Sequence, residues 1–381
     1  MTLVIPLLAI YAESFHASAV QATMLVTVYA GCQLISGPII GYFSDHIGRK
    51  PMLIFSQIGT FIGFIILARA SALWMIYLSR VIDGSTAGNL SLAQAYIADN
   101  TAPEDRAKSF GLIGIAFGLG FFIGPSITGF LSAKYGLTSP IYLAAGMSAT
   151  SVLATATLLR GGGSHSPAAT DRWAALRWST YTQYFSRPLL RIRLMQFLFY
   201  MMSFSMFISG FALFAERRYT WNGHPFGPRE IGYIFGGVGL LGIILQGALI
   251  GRLVKRYGEV TLVITGFASL VVGYFLLGAT MSAPLLLFTG VIVGFGNGVL
   301  RPAITSLITH QAGRHEQGTV LGVSQALMSM ASVVIPVLSG LLIEHDMLAM
   351  WCWTAGIFAA VGWALSIGGV KESPGLKTSP A

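Results

Sequence analysis

Long uncharged apolar runs alternate along this chain with short charged connectors, and that alternation leaves few folds open. Gln21 to Phe43 carries no charged residue, and neither does Met52 to Ala68. A helix rises about 1.5 Å per residue, so roughly 20 residues cross a hydrocarbon core of about 30 Å. Each run is therefore a candidate membrane span. Between them, Gly41-Tyr42-Phe43-Ser44-Asp45-His46-Ile47-Gly48-Arg49-Lys50-Pro51 gathers three charges into a glycine-punctuated stretch, read as a tight loop. Only 10% of the 381 residues are charged and 54% are hydrophobic, against roughly a quarter charged in a soluble domain. The chain is read as a polytopic, all-α membrane protein.

The net charge of +9 has a topological explanation. Of the 23 Lys and Arg, Arg80 and Arg301 lie inside spans and five (Arg69, Lys134, Arg217, Arg218, Arg229) fall on one side. The other 16 fall in the opposite loops, the linker and the tail. Lys and Arg accumulate in cytoplasmic loops, so both termini are expected in the cytoplasm of a cell inner membrane. No nucleic-acid partner is expected. Cys32 and Cys352 both sit in apolar spans, so neither a disulfide framework nor a metal site is expected. The seven histidines (16, 46, 165, 224, 310, 315, 345) are scattered without metal-ligand spacing, and no phosphate-cradling loop is present. An enzyme, a cofactor and ATP as driver are all read out.

In chain order, Met1 to Ala12 is apolar but reaches only about 18 Å before Glu13, too short to span. Further spans are expected over 21–43, 52–68, 73–98, 107–133 and 139–159. A polar stretch, residues 161–193, separates this first half (1–160) from a second (194–370), with a tail at 371–381. Its segment from Asp171 to Arg187 mixes Trp and Tyr with Arg and reads as an amphipathic helix on the membrane surface. Six spans follow, near 194–215, 231–252, 260–281, 284–310, 319–343 and 348–369.

The halves repeat. Adding 210 to Gly37, Gly41, Gly48, Gly63, Gly84 and Gly88 lands on glycine each time, and only Gly59 misses, on Ser269. With Gly at 46 of 381 positions, chance gives about one coincidence among these seven. Parallel repeats about an axis along the membrane normal place a substrate site at their interface, near the midplane.

The pattern Gly41-x-x-x-Asp45-x-x-Gly48-Arg49-Lys50-Pro51 resembles the signature loop of the major facilitator superfamily. Three more stretches agree. Arg80-Val81-Ile82-Asp83-Gly84 resembles that family's fourth-span Arg-x-x-Gln-Gly, with Asp in the Gln place. Gly120-x-x-x-Gly124-Pro125-x-x-Thr128-Gly129 resembles its antiporter motif, Gly-x-x-x-Gly-Pro-x-x-Gly-Gly, with Thr128 departing. Asp99 through Glu104 to Arg106 resembles its acidic loop after the fourth span. The chain is closest to the twelve-span drug:proton antiporters, and within them to the tetracycline-exporter-like group. The resemblance implies the major-facilitator fold, twelve transmembrane helices in two six-helix halves. Thr2 to Leu8 resembles the outer half of a first span, so that helix is expected to be truncated, with about ten residues upstream.

The resemblance also implies roles. Gly41, Asp45, Gly48, Arg49 and Lys50, with Asp99, Glu104 and Arg106, form a conformational latch; topology alone is the plainer reading. Arg80 and Asp83 couple protons, or form only a structural ion pair. A charge at the bilayer centre costs at least about 2.5–3.5 kcal/mol; burial favours the neutral acid, and Arg80 the carboxylate. Gly120, Gly124, Pro125 and Gly129, with Gly114 and Gly118, favour antiport, or plain helix packing. The second-half copy of the loop has Lys255 where Asp45 stands, which puts a second latch in doubt. The polar residues Gln33, Asn89, Gln94, Gln246, Asn297 and Gln325 are cavity candidates, or interhelical hydrogen bonds. Arg301 either meets an anionic or polar substrate in the cavity or snorkels. The expected function is proton-coupled export of a small lipophilic compound by a monomer in the bilayer. The alternative is proton-coupled uptake of a sugar, organic acid or other metabolite.

Overall fold

A computed structural model describes residues 4–101, 106–159, 183–312 and 317–371. The first half comprises α1 (Ile5–Glu13), α2 (Ala19–Ile47), α3 (Arg49–Ala68), α4 (Leu73–Ser85), α5 (Asn89–Asn100), α6 (Arg106–Tyr135) and α7 (Ser139–Leu158). The second comprises α8 (Pro188–Arg218), α9 (Pro228–Ile243), a π-helical turn (Ile244–Leu249), α10 (Ile250–Tyr257), α11 (Glu259–Ala279), α12 (Ala283–Gln311), α13 (Gln317–Glu344) and α14 (Leu348–Lys371). Among the described residues, nine helices are long and apolar enough to cross a membrane. The remaining three of twelve positions are α1, with 9 residues, the broken pair α4–α5, and α6, with 30. A two-residue hairpin, β1 (Thr220–Trp221) with β2 (His224–Pro225), follows α8.

Three expectations change. The signature stretch is a corner rather than a loop. α2 runs through Asp45 to Ile47 and α3 starts at Arg49, with Gly48 alone between them. Gly48 turns the chain at φ +107°, a conformation that strongly favours glycine. The fourth span is interrupted at 86–88. The backbone freed there is satisfied by side chains: Ser56 Oγ donates to the Thr86 carbonyl and accepts from Gly88 N–H at 3.0 Å. Ser36 Oγ donates to the Gly84 carbonyl at 2.9 Å. In apolar surroundings an unpaired backbone group is expensive, so a break survives only with such partners. The seventh span starts at Pro188, six residues earlier than expected. Most of the surface helix expected over 171–187 lies outside the described residues.

The repeat recurs in the helix boundaries. α3 and α11 start 210 residues apart, α4 and α12 also 210, α6 and α13 211, and α7 and α14 209. Gly258 makes the same corner as Gly48, at φ +77° and the same ψ of 156°.

The halves meet mainly along two pairs, α6 against α9 and α2 against α13, with α1 against α8 as a smaller third. Small residues make both contacts possible. A Cβ on Gly232 of α9 would lie 2.7 Å from the Pro125 carbonyl oxygen and 2.9 Å from Gly129 Cα of α6. A Cβ on Gly340 of α13 would collide with Thr23 and with the backbone at Val20 of α2. These contacts all lie at the end remote from the Gly48 and Gly258 corners. Toward the corners, Gly31, Gly37, Gly242, Gly247 and Gly251 have open space where a Cβ would point. Among the described residues, the halves therefore close one end and leave a cleft that opens toward the corners.

Candidate functional site

Three groups of residues surround the cleft. The first is the Gly48 corner. Gly48 places Arg49 at the first turn of α3, where its guanidinium reaches three partners. Asp45 of α2 is at 2.5 Å, Asp99 of α5 at 2.7 Å, and the Ser44 hydroxyl accepts at 3.0 Å. One cation thus ties α2, α3 and α5. Lys50 caps the end of α7, donating from Nζ to the Ala156 and Leu159 carbonyls at 2.8 Å each. Such a cation suits the negative end of a helix dipole. Gly41 is buried one turn before Asp45. Glu104 lies outside the described residues, as does the side chain of Arg106.

The second group sits inside the first half. Arg80 and Asp83 are 2% and 1% exposed, and Arg80 Nη1 lies 3.2 Å from Asp83 Oδ2. Their spacing of three puts both on one face of α4, just before the break at 86–88. Thr60 of α3 lies beside Asp83. Asn89, the first residue of α5, donates from Nδ2 to Thr60 Oγ1 at 3.2 Å. A polar chain therefore runs from half-buried Asn89 through Thr60 to the carboxylate. Close packing holds it: a Cβ on Gly63 would sit 3.2 Å from Asp83 Cβ, and one on Gly84 would meet the Tyr29 carbonyl at 2.6 Å. The sequence offered no signal for Thr60 or Ser56, which look like ordinary polar residues of an apolar span.

The third group is the closed seam. Gly129 of the motif in α6 faces the Pro228 and Arg229 carbonyls, which a Cβ would approach to 2.9 and 3.2 Å. Pro125 and Gly129 thus form half of an inter-half contact. Gly124 is buried one turn earlier, Gly120 is half-buried, and Thr128 Oγ1 donates to the Gly124 carbonyl at 2.9 Å. Three hydrogen bonds cross beside it. Arg217 Nη2 meets Glu13 Oε1 at 3.0 Å, Val20 N–H donates to Glu344 Oε2 at 3.0 Å, and Thr27 Oγ1 donates to the Val333 carbonyl at 2.9 Å. These residues sit far apart in sequence, and only the fold brings them together.

The second half carries a corner of its own. Glu259 stands 210 residues after Arg49, at the same place on α11, with the opposite charge. Its carboxylate accepts from Ser306 Oγ at 2.5 Å and lies 3.6 Å from His310 Nδ1, both on α12. Lys255 does replace Asp45, as the sequence says, but the cross-helix tie survives with donor and acceptor exchanged. Buried Arg193 bonds Gln196, which bonds Ser366, at 3.0 and 3.2 Å, joining α8 to α14.

The polar cavity candidates divide. Asn89 belongs to the Asp83 chain. Gln94, Gln246, Arg301 and Gln325 are exposed, Gln33 and Asn297 half-buried. Among the described residues, no hydrogen bond joins Gln33, Gln94, Gln246 and Gln325 to one another. Cys32 and Cys352 are free.

Comparison with known proteins adds the family. The model of the Major Facilitator Superfamily matches residues 1–249 and 223–379. The class B tetracycline resistance protein of Escherichia coli is 30% identical over 370 residues, 93% of this chain and 88% of that protein. Multidrug resistance protein 2 of Bacillus subtilis (strain 168) is 26% identical over 96% of this chain and 90% of its own. The crystal structure of the human organic anion transporter MFSD10 superposes with a TM-score of 0.71 at 22% identity, over 96% of this chain and 95% of that one. At that identity the likeness is one of fold.

Proposed function

The chain belongs to the major facilitator superfamily, and from that premise we propose a proton-coupled exporter of a small, lipophilic, drug-like compound. It is a multi-pass membrane transporter; the proposal concerns direction, coupling and route. The relatives named for tetracycline and multidrug resistance support export. The observation that carries the reading is the buried Arg80–Asp83 pair, set beside a broken span in a half that closes the cleft at one end only.

In this reading the Gly48 and Gly258 corners lie at the cytoplasmic face of the inner membrane, the side where Lys and Arg accumulate. The cleft then opens inward, and the seam at Gly129, Gly232 and Gly340 closes the outer side. Substrate enters the cleft from the cytoplasm or the inner leaflet. Rocking of the halves opens the seam and closes the corners. Asp83 takes a proton from the outer side once substrate has left and releases it inward when substrate binds again. Arg80 holds the carboxylate whenever it is ionised, so no unpaired charge is left in the apolar wall. The Asn89–Thr60 chain supplies the path between cleft and carboxylate. Arg49, bound to Asp45 and Asp99, keeps α2, α3 and α5 moving as one body.

Everted vesicles, energised acid inside and loaded with a pH-sensitive dye, test this. Tetracycline and a panel of lipophilic drugs should trigger proton release in the wild type and none in Asp83→Asn. Release that persists in Asp83→Asn moves coupling elsewhere. Absence of release with every compound overturns export and brings proton-coupled metabolite uptake forward.

A further inference from the structure

Arg301 is the one mid-span charge of the second half among the described residues, and its setting is unlike that of Arg80. Arg80 is buried against Asp83, whereas Arg301 is exposed. No carboxylate pairs with Arg301 among the described residues. Glu259, the acid that α11 brings to this side of α12, is committed to Ser306 and His310. A guanidinium kept within a membrane span without a counter-ion is expensive and marks a substrate or ion pathway.

Helical geometry decides which way Arg301 looks. Gly294, Gly298 and Arg301 are spaced four and three apart, so they form one row on α12. That row faces α9. A Cβ on Gly294 would meet Leu241 at 3.0 Å, and one on Gly298 would meet Leu245 at 2.8 Å. Exposed Phe288, with Phe295 and Pro302, lies roughly a third of a turn away, at about 100° per residue. Arg301 therefore continues the row directed into the half, not the face directed outward.

Asn297 lies one turn back beside the same row; its buried amide oxygen is an acceptor and adds nothing for an anion, so the guanidinium is the recognising group. The Tyr200 hydroxyl of α8 donates to the Asn297 carbonyl at 3.4 Å. Opposite the row, α9 gives way to the π-helical turn Ile244–Leu249, which begins next to Leu245 and presents Gln246 as an exposed side chain. π-turns are rare and frequent at functional sites.

We propose that Arg301, with the π-turn at Gln246, forms a subsite for an acidic group on the transported compound. A carboxylate or ionised enol on an otherwise apolar, aromatic molecule is the class it fits. A planar guanidinium binds such a group in two-point fashion. This rests on the export reading for its setting, but the charge preference is a property of the site itself.

The test separates the two. Purified protein in detergent is dialysed against nalidixate, an apolar aromatic carboxylate, and against tetraphenylphosphonium, an apolar cation of similar bulk. Wild type should favour nalidixate. Arg301→Gln should weaken it about 10- to 100-fold, the loss expected for one charged hydrogen-bonding partner. Tetraphenylphosphonium should stay within about two-fold or bind better, and Arg301→Lys should recover part of the anion affinity. Equal nalidixate binding by wild type and Arg301→Gln overturns the subsite, as does a wild type that prefers the cation or binds no organic anion. Arg301-dependent binding without vesicle efflux would leave the subsite standing and count against export.

Discussion

Replacing Gly232 with valine should turn the transporter over. In the present state Gly232 of α9 lies against the backbone of α6. An added Cβ would stand 2.7 Å from the Pro125 carbonyl oxygen, 2.9 Å from Gly129 Cα and 3.2 Å from Gly129 N. Ordinary contact begins near 3.4 Å, so even alanine forces the helices at least about 0.7 Å apart. All three obstacles are backbone, and no rotamer change relieves them. Overpacking of this kind costs about 1–3 kcal/mol. The cost falls on the state in which the seam is closed and is absent when the halves have parted there. The equilibrium between the two should move by about 5- to 150-fold. The readout is labelling by a membrane-impermeant maleimide in a background with Cys32 and Cys352 replaced. A reporter at Thr23→Cys is fully buried in the α2–α13 seam and should label at least about five-fold faster when Gly232→Val is added. A reporter at Gln94→Cys, exposed on the corner side, should label more slowly. Gly232→Ala should fall between. A folded Gly232→Val protein that labels as the parent does at both positions would refute the seam as the element that sets the conformation.

Further outcomes follow from the same geometry. Arg80→Ala leaves Asp83 buried without its ion pair and should lower stability by about 3–5 kcal/mol, whereas Arg80→Ala with Asp83→Asn should recover much of it; thermal unfolding in detergent reads both. Gly48→Ala forces a side chain into the left-handed region and should cost about 1–2 kcal/mol. Gly258→Ala at the matching corner should cost a similar amount, and a loss at neither would show that the corners are dispensable. Glu259→Gln removes the charge that faces Ser306 and His310 and should cost about 1–3 kcal/mol, with transport rate falling alongside; an unchanged melting temperature would reduce the second corner to a surface contact.

Span number and the repeat were legible in the sequence because both rest on patterns longer than any single contact. Apolar runs bounded by charge fix the spans, and a 210-residue glycine register fixes the two halves. The two corners were visible as glycine-centred stretches, yet read as a loop, because positive φ at one residue leaves no mark on composition. The break after Asp83 was missed for a related reason. Gly84-Ser85-Thr86-Ala87-Gly88 is weak helix sequence, but what tips it is Ser56 on α3, 32 residues from Gly88. Arg80 and Asp83 were found because charge inside a span is rare enough to stand out. Thr60 was not, since a threonine in an apolar run is common. The seam pairs Glu13 with Arg217 and Val20 with Glu344 across the two halves, and no local pattern carries such a contact. Glu259 is the instructive case: the offset that found the glycines also maps Arg49 onto it. Expecting like charge at equivalent positions hid it.

That reversal bears on why a duplicated fold would stop being symmetric. Two identical halves would put two identical charge sets around the cleft, and a single substrate would meet the same chemistry twice. Here the backbone is kept and the chemistry is divided. The described spans of the first half hold a carboxylate at mid-depth, sealed against Arg80 and reached through Thr60 and Asn89, a place suited to binding and releasing a proton. Those of the second half hold no mid-depth carboxylate; they expose Arg301 instead. A proton site must change charge without exposing it to lipid, which calls for burial and a fixed counter-ion. An anion subsite must stay charged and reachable, which calls for exposure and no counter-ion. One helix position cannot meet both demands, so each half of the repeat meets one. On the proposed reading, coupling runs through the α6–α9 and α2–α13 seams, because those are the larger contacts between the halves.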